Sequence, residues 1–199
     1  MITQYQKSQY DLFRQQIRKS MRAKRMALSP LQQSFASKSI INSSLELIVH
    51  YNAQKIAFYL PFDGEISPLA LIQSLRELGK EIYLPVLHPF SANQLLFLEY
   101  SHDSDLEKNH FGILQPKLDI RKVFPTNELD MIFTPLVAFD TQGNRLGMGG
   151  GFYDRTLVQY PEIVSVGLAH RCQQVDSLPT EHWDMPLKHL IIGESNDEN

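Results

Sequence analysis

The chain has 199 residues, 43% of them apolar and 21% charged, with a net charge of −3 and one cysteine, Cys172. This composition belongs to a folded globular chain and excludes intrinsic disorder outside the tails. A single cysteine excludes a disulfide scaffold and any multi-cysteine zinc or iron–sulfur centre.

Charge is unevenly spread. Residues 1–25 hold seven basic side chains against Asp11 alone, a balance of +6, and the remainder carries −9. A basic arm on an acidic body suits an anionic partner, either nucleic acid or a polyphosphate. No apolar run is long enough to cross a membrane, and the polar first ten residues lack the apolar core of a signal peptide. A cytoplasmic location is expected.

In chain order, the spacing predicts a helix over Tyr10–Leu28, with Phe13, Ile17 and Met21 as its apolar stripe. Arg14, Arg18, Arg22 and Arg25 form a second stripe, offset by about 100°. Ser29-Pro30-Leu31-Gln32 reads as a capping box with proline at the first helical position. The helix that follows should reach His50, with Phe35, Ile40, Ile41, Leu45, Ile48 and Val49 inward. Lys55–Leu60 reads as a strand. Ser67–Leu78 reads as a helix capped by Ser67 and ended by Gly79.

Strands are predicted over Glu81–Leu87 and Leu95–Tyr100, and Ser101–Asn127 reads as loop. Met131–Phe139 is the most apolar strand region, interrupted by Pro135. Gly143–Gly151 is a loop and Phe152–Tyr160 a short helix. Ile163–Ala169 and Leu190–Ile192 complete the strands, and the last residues should fray. Alternating strands and helices predict a single α/β layered domain with a mostly parallel sheet flanked by helices.

Five of the ten glycines fall between Gly143 and Gly151. The cluster follows a strand and opens a helix, where free backbone N–H groups and the helix dipole meet, and it suits phosphate. It lacks the Gly-Lys-Ser/Thr of a Walker loop, and Phe152 stands where a dinucleotide fingerprint starting at Gly147 needs its third glycine. Arg145 adds a fork of donors. Asp154 is either a first-turn acid complementing the helix dipole or a Mg²⁺ ligand beside a phosphate. Phe152 and Tyr153 either pack in the core or stack on a heterocycle.

Arg14 and Arg18 lie one turn apart and could clamp a polyphosphate; a solvated helix face is the plainer reading. RNA binding by the same helix is the rival, but no aromatic ladder accompanies the arginines. Glu65 follows a strand end, the place where α/β sheets bind ligands, and could hold an amino-heterocycle or simply serve a turn. The histidines show no metal-ligand spacing, and no nucleophile–base order is evident.

The run from Pro135 to Asp140 and then Gly143-Asn144-Arg145-Leu146-Gly147-Met148-Gly149-Gly150-Gly151-Phe152-Tyr153-Asp154-Arg155 resembles the 5-formyltetrahydrofolate cyclo-ligase family. Segments from Ile17 to Ser29, Leu60 to Glu65, and Trp183-Asp184-Met185-Pro186 agree in order and spacing. The resemblance covers nearly the whole chain.

It implies a sugar-isomerase/CoA-transferase-like α/β domain. It also implies ATP- and Mg²⁺-dependent closure of 5-formyltetrahydrofolate to 5,10-methenyltetrahydrofolate, releasing ADP and phosphate. By position, Arg14 and Arg18 match the basic pair that meets ATP, and Arg145 to Tyr153, through Leu146, Gly147, Met148, Gly149, Gly150, Gly151 and Phe152, match the phosphate loop. Arg145 and Asp154 are the implied catalytic residues, Asp154 and Asp184 the implied Mg²⁺ ligands, and Leu60, Glu65 and Phe152 the implied folate contacts. The expected partner is the folate alone, with or without a polyglutamate tail. Neither nucleic acid nor membrane is expected, and the protein should be a monomer.

The chain also departs from the family pattern. Arg14 stands where lysine is common, Met148 and Gly150 where some members carry basic residues, and Gln115 where glutamate is common.

Overall fold

The computed structural model describes residues 4–181 and 183–194. The chain opens with two long helices, α1 (Gln4–Met26) and α2 (Pro30–His50). Strand β1 (Lys55–Ala57), helix α3 (Leu69–Glu77), and strands β2 (Glu81–Leu87) and β3 (Leu95–Glu99) follow. A small hairpin, β4 (Leu106–Lys108) and β5 (Leu114–Pro116), precedes β6 (Val123–Phe124) and β7 (Met131–Pro135). A second hairpin, β8 (Ala138–Phe139) and β9 (Arg145–Leu146), leads to α4 (Phe152–Gln159), β10 (Val164–His170) and β11 (His189–Gly193).

Seven strands form one sheet in the order β11-β10-β7-β1-β2-β3-β6. The five from β11 to β2 are mutually parallel, and β3 and β6 add an antiparallel edge. The mostly parallel α/β architecture expected from the sequence is therefore present. Every residue of β10 is buried, as a parallel strand covered on both faces must be. Gly167 sits at the tightest point of this strand: a Cβ there would lie 2.4 Å from Leu187 and 2.9 Å from Leu136.

Two local predictions hold in detail. Ser29 and Gln32 form the reciprocal capping box that starts α2, with Pro30 at its first position. Gly79, at φ +73°, ends α3 in a Schellman motif: Lys80 N–H donates to Leu75 O and Gly79 N–H to Arg76 O. Its start is displaced, because Pro68 takes the cap position and the Ser67 hydroxyl accepts only a long 3.4 Å bond from Leu69 N–H.

Other expectations are corrected. Helix α1 starts earlier than Tyr10, and Phe13 is exposed while Arg14 and Arg25 are buried. The inward face draws on both predicted stripes, as Arg14–Ile17–Met21–Arg25, in which two arginines flank two apolar residues at three- and four-residue steps. The buried acceptors that make this possible come from distant loops, which local periodicity does not register. In α2, Ala36, Ile40, Ser44 and Ile48 form the inward face, whereas Phe35 and Val49 turn outward. Strand β1 ends at Ala57 rather than Leu60. The stretch 101–127 contributes β4, β5 and the edge strand β6, all only two or three residues long. The first part of the glycine segment is strand β9 rather than loop. No described helix is long and apolar enough to cross a membrane.

Candidate active site

The segments that follow β1, β7 and β10 leave the sheet at its carboxyl edge, where parallel α/β sheets place ligands. Each is fixed by specific contacts. After β1, Asp63 and Gly64 both take positive φ (54° and 73°), and Glu65 N–H closes the turn on Phe62 O at 3.0 Å. A Cβ at Gly64 would come within 3.1–3.3 Å of Met26 and the Arg25 carbonyl group, so glycine is needed for close approach as well as for its dihedral. The Tyr59 hydroxyl donates to Ile66 O at 2.7 Å and ties down the far side of the turn. Leu60 lies half-buried at the margin of the main core.

The β8–β9 hairpin is held by Asp140, which is 2% exposed. Its carboxylate accepts from the backbone N–H of Gln142, Asn144 and Leu178 and from Asn144 Nδ2. Burial pushes this carboxyl up, and those four donors outweigh burial and hold it below the usual aspartate value. The loop then continues with Gly149 at φ +103° and Gly151 at φ +66°. Among the described residues, no acceptor meets the backbone N–H groups of Gly147 through Phe152. Gly151 caps α4 in the left-handed conformation, leaving the helix start open. These features fit an anion such as a phosphate.

The predicted cationic residues are arranged unlike a free clamp. Arg14 forks onto Asp184 (Nη1–Oδ2 2.6 Å, Nη2–Oδ1 3.0 Å) and donates to Pro179 O at 3.0 Å. Asp184 also accepts from Glu181 N–H, so both its oxygens are engaged within the protein. Arg18 donates from Nε to Gly147 O at 2.8 Å, and its Cζ and Nη2 stand 3.5 Å from where a Gly149 Cβ would be. Burial, followed by the Arg14 charge, pulls its pKa down. Arg18 therefore supports the loop from beneath and makes no ion pair among the described residues.

Arg145 lies inside the protein under the loop. Its Nη2 meets Asp154 Oδ1 at 2.9 Å, and its buried Nε has no hydrogen-bond partner. Asp154 Oδ1 also accepts from Met185 N–H at 3.2 Å. This joins the glycine loop, α4 and the C-terminal segment at one carboxylate. No group of three potential metal ligands occurs among the described residues. A divalent ion here would be held by one carboxylate together with ligand phosphates and water, the usual manner of Mg²⁺. Asp154 fits that role, whereas Asp184 would first have to release Arg14.

Phe152 stands at the loop edge, T-stacked on Phe111 from the β4–β5 turn with centroids 6.1 Å apart. Tyr153 packs against the buried cluster of Ala57, Tyr83, Phe97, Leu129, Ile132 and Ile163. Met148 is exposed on the loop crest. Gln115 is buried, and its Oε1 accepts from Leu87 N–H and Asn109 Nδ2, so it joins the small hairpin to the end of β2.

Several residues that shape the site carried no role in the sequence reading. Arg25 and Asp63 sit beside Glu65, Asp140 braces the hairpin, and Gln173 donates to Leu136 O and Val137 O under it. His170, at the end of β10, is 2% exposed with Nε2 unpartnered, and burial lowers its pKa to about 4. Only Asp140 had a local signal, an aspartate at the first position of the turn closed by Gly143.

A glycine-rich loop with free backbone N–H groups and a carboxylate turn lie together on the carboxyl edge of a parallel sheet, the edge on which α/β proteins place ligands. The particular family follows from comparison with known proteins. The family model described as "5-formyltetrahydrofolate cyclo-ligase family" matches residues 12–193. The 5-formyltetrahydrofolate cyclo-ligase of Haemophilus influenzae is 56% identical over 182 residues, covering 90% of this chain and 97% of that protein. The Escherichia coli K12 protein of the same name is 48% identical over 173 residues, covering 86% and 95%. The solved 5,10-methenyltetrahydrofolate synthetase of Aquifex aeolicus superposes with a TM-score of 0.76 at 29% identity, covering 90% of this chain and 89% of that one. The chain belongs to the 5-formyltetrahydrofolate cyclo-ligase family and is an enzyme.

Proposed function

We propose that this enzyme closes 5-formyltetrahydrofolate to 5,10-methenyltetrahydrofolate, using ATP with Mg²⁺ and releasing ADP and phosphate, and that the whole chain works as one domain. The observation that supports this most is the pairing of an open anion loop with a buried carboxylate turn on one sheet edge, in a chain of this family.

The chemistry explains why both halves are needed. A formamide carbon is a poor electrophile, and oxide is a poor leaving group. Transfer of the γ-phosphoryl group to the formyl oxygen forms an O–P bond and releases ADP. Attack by N10 then forms the second C–N bond and sheds the N10 proton, and departure of inorganic phosphate, which can take up that proton, breaks the C–O bond and leaves the methenyl bridge. Positioning and charge stabilisation carry such a reaction, and no protein nucleophile is required.

In this reading the N–H groups of Gly147 to Phe152 hold the phosphates, and Arg18 keeps the loop in shape through Gly147 O. Arg145 orients Asp154 and lends positive charge from below. Mg²⁺, held by Asp154, would neutralise charge on the transferring phosphoryl group. Glu65 receives the amino-heterocycle, with Leu60 and Phe152 along its faces.

Purified protein given 5-formyltetrahydrofolate and Mg-ATP should produce the near-ultraviolet absorbance of the methenyl product. A folded sample showing no ATP-dependent rise would refute the assignment.

A further inference from the structure

Arg25 is fully buried, cannot reach a ligand, and has no part in the chemistry above. Its guanidinium nevertheless gathers the carboxylate turn from every side. Nε donates to Asp63 O at 2.7 Å, Nη2 meets Asp63 Oδ2 at 2.9 Å, and Nη1 donates to Leu136 O at 3.1 Å. Glu65 Oε1 stands 3.7 Å from Nη2. One side chain thus ties α1 to the turn after β1 and to the segment after β7. The same helix supports the glycine loop through Arg18, two turns earlier on the same face.

We propose that Arg25 is a positioning residue for the folate, holding the turn after β1 so that the Glu65 carboxylate is aimed at the ligand. The proposal rests on the folate reading above. An ionised carboxylate accepts two hydrogen bonds from an amidine-like N–H pair, whereas a protonated one presents an O–H to one of those donors.

The surroundings of Glu65 decide which form is present. Burial is the largest influence on its carboxyl and raises it; Arg25 is the largest force in the other direction, followed by Phe62 N–H, which donates to Oε2 at 3.1 Å, and the balance stands at about 7. Asp63 of the same turn raises it further, and Arg22 of α1, which forks onto Asp63, lowers it. Tyr59 beyond β1, which is buried, and Tyr153 of α4, which is half-buried, also face Glu65, and burial of their hydroxyls keeps both neutral. His170 of β10 stands beside Arg25 and stays neutral above about 4. Among the described residues Arg25 is therefore the fully buried cation beside Glu65, whereas the Arg22 side chain is 43% exposed. Where only the ionised fraction binds, apparent affinity scales with that fraction.

The test uses the full chain in two measurements. In the first, KM for 5-formyltetrahydrofolate and for ATP is measured across neutral and mildly alkaline pH for the wild type, Arg25→Gln and Arg25→Lys. Arg25→Gln should raise the folate KM roughly fivefold near neutrality, the loss of ionised fraction when a midpoint at about 7 moves up by about one pH unit. The rise should shrink as pH increases, with KM for ATP unchanged. Arg25→Lys should recover most of the effect. In the second, the Glu65 carboxyl carbon is titrated by NMR in the ligand-free protein, where Arg25→Gln should move its midpoint upward and Arg25→Lys should not. This measurement stands even if folate turnover is absent, so failure of the functional reading and failure of Arg25's role are told apart. A folate KM raised equally at every pH, or a Glu65 midpoint that does not move, would overturn the proposal. If Arg25→Gln does not fold, Arg25→Lys decides, because an unshifted midpoint beside an ATP KM raised as much as that for folate marks a packing role only.

Discussion

Replacing Gly149 by alanine separates the loop's shape from its sequence. Gly149 sits at φ +103°, outside the left-handed region that side chains tolerate, and a Cβ there would lie 3.5 Å from the Arg18 guanidinium. Contact at that distance is ordinary, so the cost is backbone strain, about 1–3 kcal/mol for a residue held in such a region. If the loop keeps its conformation, the cost appears as stability, and each kcal/mol lowers Tm by roughly 2–4 °C at this chain length. If the loop relaxes, the cost appears in nucleotide binding, where the same range is roughly 5- to 150-fold in affinity. Thermal melts and ATP titrations of Gly149→Ala together capture both. A variant with unchanged Tm and unchanged ATP affinity would refute the claim that this backbone shape holds phosphate.

Three further outcomes are expected. Asp154→Asn should require more Mg²⁺ for half-maximal turnover while still accepting from Arg145; an unchanged Mg²⁺ titration removes Asp154 from the metal. Gly167→Ala should lose about 1–3 kcal/mol from overpacking against Leu187 and Leu136, read by denaturant melts, and an unchanged midpoint would mean the strand can shift there. His170 is held at about 4 against an ordinary 6.5 by burial, so its neutral form is favoured by folding. Stability from this group is complete above about 6.5 and is lost as pH falls toward 4, by about 3 kcal/mol in all. His170→Gln should remove that acid loss, and a pH–stability curve identical to wild type would refute the assignment.

The carboxylates shift in both directions. The Arg22 hydrogen bond holds Asp63 below the ordinary aspartate value. Its contribution to stability is present above about 3.9 and fades as pH falls through the lower folded value. Glu65 has the opposite sign: with its folded value raised to about 7, it stabilises the fold at acid pH and costs stability as pH rises through 7. A site residue that costs stability in its working form fits a binding role better than a structural one.

The sequence alone determined most of the framework. The capping box at Ser29, the Schellman glycine at Gly79 and the alternation of helix and strand are read from contacts within a few residues, which local sequence encodes completely. The glycine loop and its family likeness were legible for the same reason, since backbone conformation there is written in the glycines. Tertiary structure decided what faces what. Phe13 turned out and Arg14 and Arg25 turned in because Asp184 lies 170 residues from Arg14 and Asp63 lies 38 from Arg25. A buried arginine is stable only with such partners, and no helical periodicity announces them. The +6 arm of the sequence thus became two braces, one on the C-terminal segment and one on the carboxylate turn, with Arg18 supporting the loop between them.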